Sequence, residues 1–470
     1  MKRLLLLTFF AVYSLAAIDK LSLDQALDLL KKNNSQIKIA KLQERMAHFD
    51  TKLAKSYNYG SLNLIFNALR SNDAGNVFGF KLQSREASFA DFGFDEFLAP
   101  MGQVLEAMNA HPGQLPQGFT QNMGSILQIQ PKKLNYPKAR NHYQTKLQYQ
   151  VPLFTGFKLS MYGKISKNME RLKHLEAQKV YNEMVYQTKK TFYDITLVEN
   201  YIKNLQILKH HMDELENIIK NFKAEGYAKD TDVLEVEAKR AEVLSMLNQA
   251  KLNRDLAYQY LSFLLNENIA SIKHTKERAP MPKIDMQKAV FNTIDFKRAQ
   301  IGQKITKQNV KLNRSGFYPV IGAFVEYGSA DNKPFNEFFD KDAYTFGAQL
   351  KWNLFSGGKD KASLQKAKIQ YMQTVEKVNM AKRGIALKIK QLLTQIKSKD
   401  YDIKAQSKQF ELAKKIYVMY QAKYKEGLVK ISDVLIKHSE EIQALLKLLQ
   451  TKTQRNEKVF ELESLMDKGE

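Results

Sequence analysis

The chain contains no cysteine in 470 residues. Disulfides, thiolate metal sites, cysteine nucleophiles and lipidation of an N-terminal cysteine are therefore excluded. Beyond residue 20 no stretch approaches 18 consecutive apolar residues, so the chain does not read as a series of helical membrane spans. The eight histidines (His48, His111, His142, His174, His210, His211, His274 and His438) form no HExxH or HxH pattern. His210 and His211 are adjacent and so point to different sides of a helix. No nucleophilic triad or paired-acid arrangement has a supporting context, so no catalytic residue, cofactor or metal is expected. Acid is also in deficit: 49 Asp and Glu stand against 73 Lys and Arg, a formal charge of +24. Such an excess often marks nucleic-acid binding, yet no recognition motif accompanies it.

What is present begins with an export signal. Lys2 and Arg3 precede an apolar run from Leu4 to Leu15, with small residues at Ser14, Ala16 and Ala17. This is the layout of a secretory signal peptide over residues 1–17, and it takes the mature chain out of the cytoplasm, away from nucleic acid.

The most informative feature is an internal duplication. YQVPLFTGFK (149–158) and LKWNLFSGGK (350–359) align Leu153, Phe154 and Gly156 with Leu354, Phe355 and Gly357 at an offset of 201. EGYAKDTDVL (225–234) and EGLVKISDVL (426–435) repeat at the same offset. Upstream, KLAKSYNYGSL (52–62) lies against KLNRSGFYPVI (311–321) at an offset of 259, so the first half holds 58 extra residues. Each half, 18–282 and 283–470, reads as helical arm, strand, loop, strand, long helix, glycine turn and returning helix. Pro280 and Pro282 mark the join.

Strands are expected at about 59–69, 142–153, 318–328 and 343–354, with the inserted loop at about 70–138. Tyr143, Leu147, Tyr149, Val151 and Leu153 fall on one face of the second strand, with Gln144, Lys146, Gln148 and Gln150 opposite. The fourth strand repeats this with Tyr344, Phe346, Ala348, Leu350, Trp352 and Leu354. A run of about 9–11 alternating residues suits a strand crossing an outer membrane, and equally a soluble sheet. Four strands do not close a barrel, and an open edge in lipid is prohibitively costly. If the strands span a membrane, chains must pool them, and three chains supply twelve.

Ile195, Val198, Ile202, Leu205, Leu208, Met212, Leu215, Ile219 and Phe222 recur every three or four residues in a proline-free stretch from Phe157 to Ala224. At 1.5 Å per residue this predicts a helix about 100 Å long. Its copy spans about 359–425. Returning helices over 232–265 and 433–466, and arms over 22–56 and 285–314, are about half that length. Two half-length helices stacked end to end match one full-length helix.

The signal peptide, the duplication, the LFTG and LFSG strand ends and the two EG-x5-DVL turns together resemble the TolC family of outer membrane efflux proteins. The resemblance covers essentially the whole mature chain. It implies an internally duplicated, mixed α+β membrane protein, a homotrimer whose chains contribute four strands each to a 12-stranded barrel. A coiled-coil-like α-helical tunnel continues that barrel into the periplasm of a Gram-negative bacterium. It further implies passage of cargo, as in multidrug efflux or type I secretion. The partners implied are a periplasmic membrane-fusion adaptor, an inner-membrane transporter of RND, ABC or MFS type, and outer membrane lipid.

The same resemblance puts a gate at the periplasmic turns, carried here by Gly226, Asp232, Tyr424, Gly427, Lys430, Asp433 and Ile436. Asp433 corresponds to an aspartate that lines the closed pore, where three copies would form a negative ring of raised pKa. A helix-capping role for Asp232 and Asp433 is the plainer alternative. Ile436 replaces a second acidic residue and Val429 an arginine, so the latch is expected to be weaker than in close relatives, or wired differently. The insertion departs too: Phe78, Phe80, Phe89, Phe92, Phe94 and Phe97 argue for order in a segment that is expected on the extracellular side. The helix and turn over 359–430 hold 18 Lys or Arg against 6 acids, either a basic tunnel lining or a solvated outer face. A trimeric structural or adhesive coiled-coil protein remains the alternative function, and a cell-surface enzyme a third that no residue pattern supports.

Overall fold

The structure, a computed structural model, describes residues 17–110, 112–113, 124–285 and 288–466. The proposed signal peptide up to Ala16, together with His111 and Pro116, lies outside the described residues. The chain divides into a sheet unit, Lys52–Lys164 with Asn309–Lys366, and a helical unit made of the remaining segments.

The sheet unit contains β1 (Ser61–Ser71), β2 (Arg140–Phe154), β3 (Val320–Asp331) and β4 (Asp342–Lys351), antiparallel in the order β1-β2-β3-β4. Pairing is continuous apart from a shift at Pro152 and Phe154. Alternation then assigns the two faces. Leu64, Leu147, Tyr327 and Tyr344 form one rung of an apolar face, and Leu62, Tyr149, Val325 and Phe346 the next. Asn63, Gln148, Glu326 and Thr345 form a rung of the polar face. Polar rungs are cross-linked: the Lys146 ammonium sits 3.0 Å from Glu326, Gln148 also donates to Glu326, and Asn67 donates to Gln144 at 3.2 Å. The apolar face, by contrast, is bare, with Leu64 at 73% and Phe346 at 74% exposure. A soluble sheet does the reverse, covering its apolar side.

The segment expected as a loop over 70–138 contains helices: α3 (Ala74–Gln83), α4 (Phe94–Ala110) and α5 (Lys132–Asn135). Aromatic contacts order them. Phe80 stacks on His142 of β2 at 4.1 Å, Phe78 meets Phe92 edge-on at 5.0 Å, and Phe89 meets Phe94 at 5.5 Å. His142 belongs to the polar face, so α3 packs on that side of the sheet at its β1–β2 loop end.

The helical unit is built on α1 (Leu23–Asn33), α2 (Ser35–Ser56), α6 (Lys158–Ala224), α7 (Asp230–Leu265), α8 (Ile294–Arg314), α9 (Lys359–Lys425) and α10 (Ile431–Ser464). Helices α6 and α9 have 67 residues each. The first arm, expected as one helix, breaks at Asn34. The Asn34 side chain donates to the Leu264 carbonyl at 2.8 Å and accepts from the Ile37 amide at 3.0 Å, ending one helix and starting the next. The second arm is helical only from Ile294. The apolar stripe of α6 is buried as its spacing requires: Leu205, Met212, Leu215 and Ile219 are fully covered and pack with Val236, Val243, Tyr417 and Val434. Among the described residues no helix is long and apolar enough to cross a membrane.

The strand-to-helix junctions repeat with one difference. Gly156 and Gly357 both have positive φ, +60° and +62°, which only glycine adopts freely. A Cβ on Gly156 would lie 2.8 Å from the Ser315 carbonyl oxygen and 2.9 Å from Tyr318 Cβ, whereas on Gly357 it would meet nothing within 4 Å. Both alanine variants incur about 1–2 kcal/mol of left-handed strain. Gly156→Ala adds a steric overlap, so its melting temperature, followed by circular dichroism, is expected to fall clearly below that of Gly357→Ala. Equal losses would mean that the junction relaxes around the added methyl.

Candidate functional site

The two glycine turns of the helical unit are built alike. At the end of α6 the Tyr227 amide donates to the Phe222 carbonyl at 2.7 Å and the Gly226 amide to Lys223 at 3.0 Å. At the end of α9, Leu428 donates to Lys423 at 2.9 Å and Gly427 to Tyr424 at 2.9 Å. These are paired Schellman bonds, with Gly226 at φ +80° and Gly427 at +69° supplying the left-handed residue. The returning helices start two residues earlier than expected, at Asp230 and Ile431. Asp232 and Asp433 are therefore not N-cap residues. They sit in the first turn and reach back, their carboxylates accepting the Lys229 and Lys430 amides at 3.0 and 3.3 Å. Lys430 itself is the extended N-cap residue.

Around this frame the repeats diverge. In the first, Lys223 pairs with Asp230 at 2.7 Å. In the second the same positions hold Tyr424 and Ile431, both buried, and Tyr424 lies against Phe222 with ring centroids 5.9 Å apart. An ion pair at one turn is thus an aromatic contact at the other. Ile436 is exposed and faces out of this chain's own core. Leu153, Leu354 and Phe355 at the strand ends are exposed as well, while Phe154 meets Phe157 edge-on at 5.4 Å.

Sequence reading missed a buried polar cluster next to the second turn. His438 and Glu441 of α10 and Tyr417 of α9 are almost completely covered. His211 of α6 stacks on Tyr417 at 5.5 Å, and Tyr417 lies 5.1 Å from His438. Neither nitrogen of His438, nor the Tyr417 hydroxyl, nor Glu441 Oε2 has a hydrogen-bond partner of good geometry. Burial raises Glu441 to about 7, Lys414 opposing. Burial also lowers His438 to about 4; His211 and Lys239 act with it, while the Leu208 carbonyl and Glu242 act against it. The signal was present in the sequence: His438 and Glu441 interrupt a heptad-like stripe in α10 at positions that a packed helix buries. Among the described residues no group of three or more His, Asp or Glu side chains is placed to hold a metal ion.

Residues 286–467 match the family model described as "Outer membrane efflux protein". No curated protein matches the chain in sequence. Solved structures match it over nearly its full length. CusC superimposes with a TM-score of 0.76 at 14% identity, over 97% of this chain and 96% of that one. The CmeC outer membrane channel of Campylobacter jejuni gives 0.73 at 13%, over 95% and 87%. The outer membrane protein VceC of Vibrio cholerae gives 0.71 at 14%, over 94% and 94%. The chain therefore has the fold of the outer membrane efflux channels. The resemblance to the TolC family thus holds in fold, and residues 286–467 carry the sequence pattern of the outer membrane efflux proteins.

The cluster makes a pH prediction with opposing parts. Between about 4.5 and 7 folded Glu441 keeps a proton that the unfolded chain has released, so its contribution falls as pH rises. Between about 4 and 6.5 folded His438 lacks a proton that the unfolded chain binds, so its contribution rises. Each is on the order of 3 kcal/mol and the two nearly cancel where they overlap. In thermal melts Glu441→Gln should therefore gain stability from pH 4 to 6.5, and His438→Gln should lose it from pH 4.5 to 7. Parallel profiles for both variants and the parent would show that neither group titrates with folding.

Proposed function

We propose that this chain is the outer membrane exit duct of an export system, a homotrimer in which twelve strands close a barrel and the long helices form a periplasmic tunnel. The observation that carries this reading is the sheet. Its apolar face is bare, its opposite face is polar and cross-linked, and β1 and β4 each pair on one side only. Lipid satisfies the first feature, a water-filled lumen the second, and neighbouring copies the third. The fold and the family match over the second repeat support the same reading. No catalytic step is needed: a periplasmic adaptor and an inner-membrane transporter of RND, ABC or MFS type would load the duct and choose its cargo.

The gate is proposed at the helix turns, with Asp433 as its charged element and the Tyr424–Phe222 contact as its brace. The back-bond from Asp433 occupies one carboxylate oxygen and leaves the other free to face a pore. A purely structural or adhesive trimer would account for the long helices, but it gives the bare apolar face nothing to do.

Planar-bilayer recording on the purified, detergent-extracted protein, with oligomer mass measured alongside, tests the proposal. The expected result is a trimer with small, cation-selective conductance that loses selectivity in Asp433→Asn. A conducting trimer indifferent to that change would return Asp433 to helix capping alone. A monomer, or a trimer that never conducts, would remove the duct reading.

A further inference from the structure

At the loop end of the sheet unit the insertion and the strand ends line an open cavity of about 1010 Å³. Its wall carries seven cations, Arg70, Lys81, Lys132, Lys133, Lys138, Arg140 and Lys333, against one acid, Asp91. Three of the seven are neutralised locally. Lys81 pairs with Asp91, Lys133 with Asp95 and Arg140 with Glu86. The other four, Arg70, Lys132, Lys138 and Lys333, have no acidic side-chain partner among the described residues. Arg70 donates only to the neutral Asn141 side chain, at 2.7 Å. The nearby Glu96 carboxylate is engaged by the Lys132 and Lys133 backbone amides at 2.9 and 3.1 Å, where it caps α5.

Four uncompensated cations on one concave wall repel each other, and a multivalent anion relieves that repulsion most effectively. Ammonium and guanidinium groups together suit phosphate oxygens, which accept several charge-assisted hydrogen bonds at once. The location adds a second element. Leu62, Leu64, Phe66 and Ala68 share one face of β1, and the next residue on that face is Arg70, opposite Asn141 of β2. The apolar face thus ends where the cationic wall begins. Tyr136, 81% exposed, also lines the cavity, and the insertion exposes Phe89 and Leu98. Charge bordering bare apolar surface is the complement of an amphiphile with a phosphorylated head.

We propose that this basin binds a group bearing two or more phosphates, carried by a phosphorylated glycolipid of the outer leaflet or by a soluble polyphosphate. The anion site follows from the cavity alone; only the glycolipid source rests on the outer membrane reading. Calorimetric titration of the full-length protein in neutral detergent with sodium tripolyphosphate tests the site. Three proteins are compared: the parent, K132Q/K138Q/K333Q, and a control, K377Q/K390Q/K397Q, that changes exposed α9 lysines. The parent and control should bind, and the basin variant should bind at least about tenfold more weakly, the loss of one charge-assisted contact being enough for that factor. Organic phosphorus measured on the washed, membrane-extracted proteins separates the sources: an excess lost in the basin variant identifies the glycolipid, and no excess with intact tripolyphosphate binding identifies the soluble anion. Circular dichroism and oligomer mass establish that the variant is folded. A parent with neither tripolyphosphate binding nor excess phosphorus, or a folded variant equal to the parent in both, overturns the site. A protein that conducts without binding loses only the basin, and one that binds without conducting loses only the duct.

Discussion

On the proposed reading, backbone hydrogen bonding in an apolar medium governs the rest of this structure. A strand in lipid must have each amide and carbonyl paired, because no water is available to replace a missing partner. The four strands of one chain satisfy the interior of the sheet and, among the described residues, leave the outer edges of β1 and β4 unpaired. Everything else about the sheet agrees with a setting in which those edges are met by other copies. Leucines and aromatics crowd the face that the chain leaves uncovered, while Lys146, Gln148 and Glu326 bind one another on the opposite face. On that reading the incompleteness of the single chain is a property of its design.

The duplication meets the same constraint economically. Two copies of a strand pair give an even number of strands with one register, and two copies of the long helix give two stripes to pack. The copies have not stayed equivalent. Lys223 and Asp230 hold one turn by charge, while Tyr424 and Ile431 hold the other by burial. Charge pairing at an exposed turn is weak and responds to salt, whereas a buried aromatic contact responds to neither salt nor moderate pH. Next to the second turn, Glu441 and His438 bring titratable groups into the packed interface, where the first repeat's equivalents, Arg240 and Glu237, are held instead in ion pairs with Asp213 and Lys220. The asymmetry gives one turn a dependence on salt and the helix pair beside the other a dependence on pH.

Much of this was legible in the sequence, for identifiable reasons. Strands and long helices were readable because period-two alternation around Tyr149 and Trp352, and three-four spacing from Ile195 to Phe222, are long enough to be unambiguous. The turns were readable because Gly226 and Gly427 recur in register with the strand ends. The capping register was not, since an aspartate at the N-cap and one in the first turn look alike until the backbone shows where the helix begins. Asn34 was passed over as an ordinary helical polar residue because the contact that breaks the arm, to the Leu264 carbonyl, comes from far along the chain. The helices of the insertion were hidden for a similar reason. Phe78 and Phe80 signal order, but only pairing with Phe92 and His142 decides its form. Spacing puts His438 and Glu441 in the buried stripe of α10, but it does not reveal that three helices meet there and bring Tyr417 against His438 and His211 against Tyr417.

The insertion joins β1 to β2 through a hairpin connection, and that choice has an evolutionary consequence. Adding or losing one residue inside a strand would exchange the apolar and polar faces for everything beyond it. Adding dozens between Ser71 and Arg140 changes neither register nor facing, because both strands resume their pairing at the same rung. The β1–β2 loop end of this fold is thus the place where lineages can experiment with new surface chemistry, while the sheet that carries it is held nearly immutable by its own periodicity.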